Sequence, residues 1–521
     1  MSKTVPQNTS LIPRPLKQES QEGIFESRGV PAIAKGSPFD GEIAVFSAQM
    51  AARYGSSEKN EKDANIFCKL NEGISAEGYH LKITAEKIEL AAATGAGMHN
   101  GLQSLRQLFL SGDTGDIFEK NIEKNAASRF VIPCTEIEDA PRYSWRGFML
   151  DCSRFFYPVS FIKKMLDVLS LHHINVFHWH LTDDHGWRLP VPEYPLLVEI
   201  GSKRRNPCRQ EEIYIEGFYT EAEISEVVAY AAARHITVVP EVDLPGHTLS
   251  ALAAYPDLGC TGGPYQVEWR FGVFDDILCA GNDRIFEFAA AIFDTLERLF
   301  PGKYVHIGGD EAPTARWEAC PRCRSRITEL QLAEPRQLQR WLTRRFAEML
   351  SQRGKTAIGW DEVLEGTEGN KYTALPDNLA VMFWRSWMDK QPVVDAAASG
   401  RRIIMTPASH GAYLSMKQTD EPGEPGSGDE ASTLRNSYTI PMTYPGMTGK
   451  SDRSVIGGQA SIWGEYINSC PNAEYMIFPR LCALAEVFWL PEERKCFDDF
   501  SQRLPVHQKR LDALGVLQHR G

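Results

Sequence analysis

Residues 304–313 read YVHIGGDEAP. Tyr304, Val305 and Ile307 are strand formers, Gly308 and Gly309 break the run, and two acids, Asp310 and Glu311, follow side by side. Neighbouring carboxyls at a strand end occupy one small space, and repulsion there keeps one of them protonated nearer neutral pH, as a general acid requires. The structural alternative is a helix N-cap with a solvated acid pair, Asp310 standing ahead of a helix start at Pro313.

Working outward, the same kind of run recurs from Arg146 onward. Strand-length apolar stretches occupy 147–151, 174–181, 236–243, 304–310, 356–361, 379–384, 402–407 and 455–463. Helical patterns separate most of them, with apolar residues at 3–4 spacing over 161–171, 224–233, 285–300 and 338–350. Near-continuous apolar strands alternating with helices predict a parallel sheet covered by helices. About eight such units predict an α/β fold closed as a (β/α)8 TIM barrel. A doubly wound open sheet is the alternative, but no Gly-rich dinucleotide fingerprint follows the first strand. Before Pro141 the pattern differs. Strand-like pieces (43–46, 79–83, 87–91) precede a helical stretch at 101–109, and the turn-rich segment 138–143 closes the region. This predicts a small α+β N-terminal domain over 1–141, then the barrel over 142–521 with a C-terminal helical tail. Residues 419–433, rich in Pro, Gly and acids, form a loop that is either a mobile rim or an active-site wall.

The bulk numbers narrow the function. The 521 residues are 43% hydrophobic, enough for one large core and a smaller domain. Lys and Arg total 56 against 68 Asp and Glu, a formal charge of −12, which argues against nucleic acid or an anionic membrane as partner. No apolar run reaches the length of a membrane span, and the opening MSKTVPQNTSLIPRPLKQES lacks the apolar centre of a signal peptide. The chain therefore reads as cytoplasmic, or as exported if Met1 is not the natural start. The 11 cysteines are not a disulfide framework. Cys320 and Cys323 form a CPRC pair, but a structural zinc site needs four ligands and no second pair of suitable spacing follows. Cys260 and Cys279 bracket a Gly-rich loop and read equally as a disulfide or as free thiols.

Barrel enzymes carry their chemistry at the C-terminal strand ends. Asp151 and Arg154 follow the first strand, Asp183, Asp184 and His185 the second, and Asp243 and His247 the third. Asp310 and Glu311 follow the fourth, and Trp360, Asp361 and Glu362 the fifth. Trp384 ends the sixth, Tyr413 follows the seventh, and Trp463 and Glu465 finish the eighth. Carboxylates and an arginine grip vicinal hydroxyls while indole faces stack on sugar rings, so this rim suits a neutral polyhydroxylated ligand. A metal-bound water held by His178, His180, Asp183, His185 and His247 is the rival arrangement, although His178 and His180 lie within the strand body, where a satisfied core histidine is commoner.

The motifs RGFMLDCSRFF, NVFHWHLTDDHGWR, PEVDLPGH, HIGGDE, GWDE and WGE occur in this order. Together they resemble glycoside hydrolase family 20, the retaining β-N-acetylhexosaminidases, over essentially the whole chain from about Leu11 to Trp489. The resemblance implies substrate-assisted hydrolysis, in which the substrate's 2-acetamido oxygen is the nucleophile. Adjacent acids cannot straddle a sugar as the usual nucleophile and acid do. It implies Glu311 as general acid and then base, and Asp310 as the group that orients the acetamido N–H and stabilises an oxazolinium intermediate. Tyr413 would bond the acetamido oxygen, Trp360, Trp384 and Trp463 would wall its methyl, and Arg154 and Glu465 would bind ring hydroxyls. Asp183 and His247 would support Glu311 from behind, the carboxylate orienting the imidazole. No cofactor and no metal is implied, and the partners are glycans bearing N-acetylhexosamine.

Many members of that family carry an acid or Asn two residues after the tyrosine, where Ser415 stands here. The shorter side chain leaves the gluco or galacto preference open. The expected activity is exo-acting removal of terminal non-reducing β-linked GlcNAc or GalNAc. Disaccharide release of the lacto-N-biosidase kind and a catalytically silent glycan-binding barrel are the alternatives. Oligomeric state is not legible.

Overall fold

The computed structural model describes residues 10–55, 64–112, 129–205, 214–366 and 370–520. The first nine residues of the opening stretch, and Cys208, lie outside them. Eight parallel strands close into a barrel: Trp145–Asp151, Val176–His180, Thr237–Glu241, Tyr304–His306, Thr356–Trp360, Ala380–Phe383, Ile403–Met405 and Val455–Ile462. The last pairs with the first, from Gly457 opposite Trp145 to Ile462 opposite Leu150, so the sheet has no edge.

The helices follow from amphipathic spacing. In Arg284–Leu299, Ile285, Phe288, Ala289, Ile292, Phe293 and Leu296 fall on one face and are wholly buried against the barrel. Each large apolar side chain so buried contributes about 2 kcal/mol. The helix Glu221–Ala232 starts at a capping box, Thr220 accepting from the Glu223 backbone N–H while Glu223 reaches back. Inside the barrel, Trp145, Val176, Val239, Ile358, Trp360, Ala380, Met382 and Ile404 form a separate cluster, which makes the lumen a packed core.

The N-terminal region is a five-stranded mixed sheet in the order Lys17–Arg28, Arg129–Asp139, Tyr79–Ile83, Ile88–Ala92, Ile66–Leu70, with the helices Asp40–Tyr54 and Gly95–Gly112. Two local expectations are corrected. Residues 43–46 belong to the helix Asp40–Tyr54, because Phe46 and Met50, four apart, are the pair that buries. Glu138 and Asp139 end a long strand rather than a turn, since the register runs on to Lys17 opposite Glu138.

The two regions share core. The helix Arg480–Trp489 is buried throughout, and Trp489 and Leu490 join the apolar cluster of the N-terminal sheet. Trp489 Nε1 donates to Asp139 Oδ1 at 2.9 Å. The tail helix Phe497–Ala513 packs back on the molecule, where Arg510 donates to Gln107 (3.0 Å) and Ser111 (2.7 Å). Among the described residues no helix is long and apolar enough to cross a membrane. Cys260 and Cys279 are not joined by a disulfide.

Candidate active site

The fourth strand ends at His306, and Gly308 and Gly309 follow with φ of +65° and +88°. Any side chain at Gly308 would overlap Oδ1 of Asp243. This left-handed turn, which only glycine enters without strain, leads from the strand into the two acids that come next. Asp310 is buried, 7% exposed, whereas Glu311 is exposed at the mouth.

Eleven other residues join Glu311 around a cavity of about 200 Å³. Of the residues expected from sequence, Arg154, His247, Asp310, Glu311, Trp360, Trp384, Tyr413, Trp463 and Glu465 all line it. Asp183 does not. It lies behind Arg154, whose Nη2 is 2.7 Å from Asp183 Oδ2; burial acts to raise the carboxyl, but this guanidinium together with His247, His180 and His185 holds it well below the usual range. Arg154 is further held by Asp151 (3.2 Å), reaches to 4.0 Å of Glu465, and lies 5.2 Å from the Trp463 ring centre.

His247 also departs in detail from expectation. Its Nδ1 is nearer to Asp184 Oδ2 (3.1 Å) than to Asp183 Oδ1 (3.5 Å), so Asp184 is the closer of the two carboxylates that orient the ring. Asp184 is itself fixed by the Leu249 backbone N–H at 2.9 Å. Burial disfavours the imidazolium, but Asp183 first and then Asp184 and Glu311 outweigh it and raise the His247 pKa well above its ordinary value.

Of the two neighbouring acids, Asp310 is raised and Glu311 is lowered. Burial pushes Asp310 up, the His247 cation pulls against it, and the charge of Glu311 adds to the rise. Beneath it, burial and then the charge of Asp310 push Asp243 well up, which makes Asp243 the proton-bearing partner. Glu311 goes the other way. Partial burial acts to raise it, yet the hydrogen bond and charge of His247 bring it below the ordinary glutamate value.

The aromatic side is built from strands five to eight. Trp384 and Tyr413 face one another with ring planes 3° from parallel and centres 5.9 Å apart. Trp463 lies 6.0 Å from Tyr413 and 5.7 Å from Trp360. Trp384 Nε1 donates to Glu362 (2.9 Å) and Trp360 Nε1 to Glu241 (2.9 Å). Tyr413 is carried by a short stretch that bridges to Ser461 on the last strand. Residues 419–433 are a wall: Ser427 N–H donates to the Ser415 carbonyl at 2.8 Å, and both serines line the cavity. Arg480 clamps this wall through the carbonyls of Leu414, Met416 and Ser432 at 2.6–3.0 Å.

His178 and His180 serve the barrel floor. Glu241 is bonded by His180 Nδ1 (2.5 Å) and accepts from Trp360 Nε1 (2.9 Å), while His178 Nε2 (3.0 Å) and His306 Nδ1 (2.9 Å) lie beside it, the latter accepting from the Gly308 N–H (3.1 Å). Sequence reasoning missed Glu241, His306, Ser427 and Tyr466. Glu241 and His306 were visible as polar residues in apolar strands, Tyr466 adjoins Glu465, and nothing local marks Ser427.

A rim of this kind, with paired carboxyls at the mouth and floor of an aromatic cage on a closed parallel barrel, defines a barrel glycosidase. The family follows from comparison. Residues 143–492 match the catalytic domain of glycosyl hydrolase family 20 and residues 8–140 match its domain 2, and the chain belongs to that family. It is 36% identical over 446 residues to a beta-hexosaminidase of Porphyromonas gingivalis, covering 86% of this chain and 55% of that protein's length. It is 30% identical to a beta-N-acetylhexosaminidase of Cellulomonas fimi, covering 98% of this chain and 96% of the relative. A family 20 exo β-N-acetylglucosaminidase from Vibrio harveyi, solved with N-acetylglucosamine, superposes with a TM-score of 0.86 at 28% identity, covering 100% of this chain and 79% of that one.

Proposed function

We propose that in this exo-acting, substrate-assisted β-N-acetylhexosaminidase Glu311 is the proton-transferring residue and Asp310 the partner of the substrate's acetamido group. Glu311 protonates the glycosidic oxygen as the C1–O bond breaks, while the acetamido carbonyl oxygen attacks C1 to form an oxazolinium ion. Asp310 accepts the acetamido N–H and faces the positive charge that develops. Glu311, now a carboxylate, takes a proton from water as that water attacks C1. The ring opens, and the sugar leaves with its configuration retained.

The observation that carries this reading is the difference in exposure between adjacent acids: the Asp310 side chain is 10% exposed and that of Glu311 38%. A group that meets leaving oxygen and water belongs at the mouth, and one that meets a bound substituent belongs within. The His247 cation keeps Glu311 ionised in the empty site. A sugar that displaces water from the mouth strips solvation from that carboxylate and raises it toward the proton-donating form.

Tyr413, Trp360, Trp384 and Trp463 supply an apolar slot for the acetyl methyl, closed on one side by the parallel Trp384 and Tyr413 rings. Arg154 and Glu465 hold ring hydroxyls, and Ser415 with Ser427 completes the opposite wall. A cavity of about 200 Å³ supports one terminal sugar in the closed part of the site rather than two. The N-acetylglucosamine bound by the Vibrio harveyi relative supports the same sugar type here.

The decisive experiment compares an aryl β-N-acetylglucosaminide with the matching aryl β-glucoside. Cleavage of the first alone is expected, because the nucleophile belongs to the acetamido group. Comparable cleavage of both would mean that a protein carboxylate attacks, and the role given to Asp310 would be wrong.

A further inference from the structure

Four cysteines meet beside the loop 261–278, away from the sugar pocket. An antiparallel bridge between Gly259 and Leu278 brings the next residues, Cys260 and Cys279, together at the base of that loop. Cys320 ends the short helix Ala315–Ala319, and Cys323 lies in the first turn of Pro321–Glu329. The sulfurs of Cys260 and Cys323 are 3.8 Å apart, those of Cys279 and Cys320 3.8 Å, and those of Cys279 and Cys323 3.6 Å. All four lie within 4.8 Å of one another.

Those spacings are too long for S–S bonds, which are about 2.05 Å. They fit a metal tetrahedron: four thiolates at a Zn–S distance of about 2.3 Å stand about 3.8 Å apart. Cys279, Cys320 and Cys323 are buried and Cys260 is partly exposed. The backbone around them is closely packed. Gly281 packs so closely on Arg322 and Cys323 that a side chain there would overlap the main chain of the CPRC turn.

We propose that Cys260, Cys279, Cys320 and Cys323 bind one zinc ion in a closed, four-thiolate structural site. All four positions are protein ligands, so no place is left for water or substrate, and soft thiolates in a tetrahedron select zinc over harder cations. The ion ties the base of the loop to the chain that leaves Glu311. That loop reaches the catalytic rim: the Arg270 carbonyl bonds His185 Nε2 at 2.7 Å, and the Phe271 ring lies 5.6 Å from Tyr466. Trp317 Nε1 donates to the Leu278 carbonyl at 2.9 Å, holding the same two segments together beside the metal.

The test is elemental analysis of full-length protein purified under reducing conditions, without chelator, from zinc-replete cells. About one zinc per chain is expected, released to a chromogenic chelator as the thiols are titrated with an organomercurial, and lost to below about a tenth in Cys320→Ser/Cys323→Ser. The wild-type stoichiometry stands even if that variant fails to fold. Four titratable thiols with no bound transition metal, or two disulfides among these cysteines by peptide mass mapping, would overturn the site. Iron in place of zinc would overturn the choice of metal.

Discussion

Nε2 of His247 stands 3.4 Å from Oε2 of Glu311. The same nitrogen is 3.6 Å from Asp310 Oδ2, so one imidazolium edge faces both acids and is held there from behind by Asp184. The charge on this ring sets how readily Glu311 releases its proton.

Replacing His247 with Gln removes a cation that holds Glu311 below the ordinary glutamate value. The alkaline limb of kcat/KM follows loss of the acid's proton in the free enzyme, so it should move to higher pH in the variant. A pH profile on a soluble aryl substrate measures this. An unmoved limb would show that His247 does not govern Glu311.

Glu311→Gln removes the proton donor while leaving the acetamido nucleophile untouched. Turnover should fall about 10²–10⁴-fold on an alkyl or sugar aglycone. The loss should be much smaller on a dinitrophenyl glycoside, whose leaving group needs little protonation. Equal losses on both would place the defect elsewhere. Asp310→Asn should lower turnover on both substrates alike, with thermal unfolding close to that of the parent.

Gly308→Ala and Gly354→Ala form a matched pair. Both positions have left-handed backbone, φ +65° and +71°, but only Gly308 has a neighbour, Asp243 Oδ1, where the methyl would go. The Gly354 change should cost about 1 kcal/mol from backbone strain alone. The Gly308 change should cost about 3 kcal/mol or more, since overpacking adds to it. Denaturant melts of the two variants compare them directly, and similar losses would contradict the packing argument.

Asp183 is held well below the ordinary carboxylate range because, against burial, Arg154, His247, His180 and His185 together favour its charged form. A depressed folded pKa gives stability that is complete above the unfolded value, about 3.9, and is lost as pH falls through the folded value. Asp183→Asn should lower the melting temperature near neutrality and flatten its decline in acid. A parallel downward shift at every pH would exclude this linkage.

The barrel was legible because each strand is buried on both faces and reads as a plain apolar run, as in 174–181 and 455–463. The N-terminal sheet was less so. Its long outer strand Lys17–Arg28 is largely exposed, and little in KQESQEGIFESR marks a strand until Arg129–Asp139 lies beside it. In the site, the acids and tryptophans at strand ends were found because strand ends are predictable places. Ser427 was not, since its position depends on a loop folding back on Ser415. Asp183 was named as the carboxylate behind His247, and Asp184, which lies nearer the ring, was not, because the two acids are adjacent and sequence does not say that both turn toward it. The sulfur cluster escaped because its ligands are two single cysteines and one CxxC pair, joined by a bridge between Gly259 and Leu278 that only the fold creates.

Glu241 and its ring of histidines plug the barrel directly under the sugar pocket, so a glycan can enter by its tip and cannot thread through. For a polymer, the effective substrate concentration is then the number of free ends, not the mass of material. Halving the average chain length doubles the enzyme's supply, and a long intact strand presents it with almost nothing to do. A cut made in mid-chain by another catalyst feeds this protein directly.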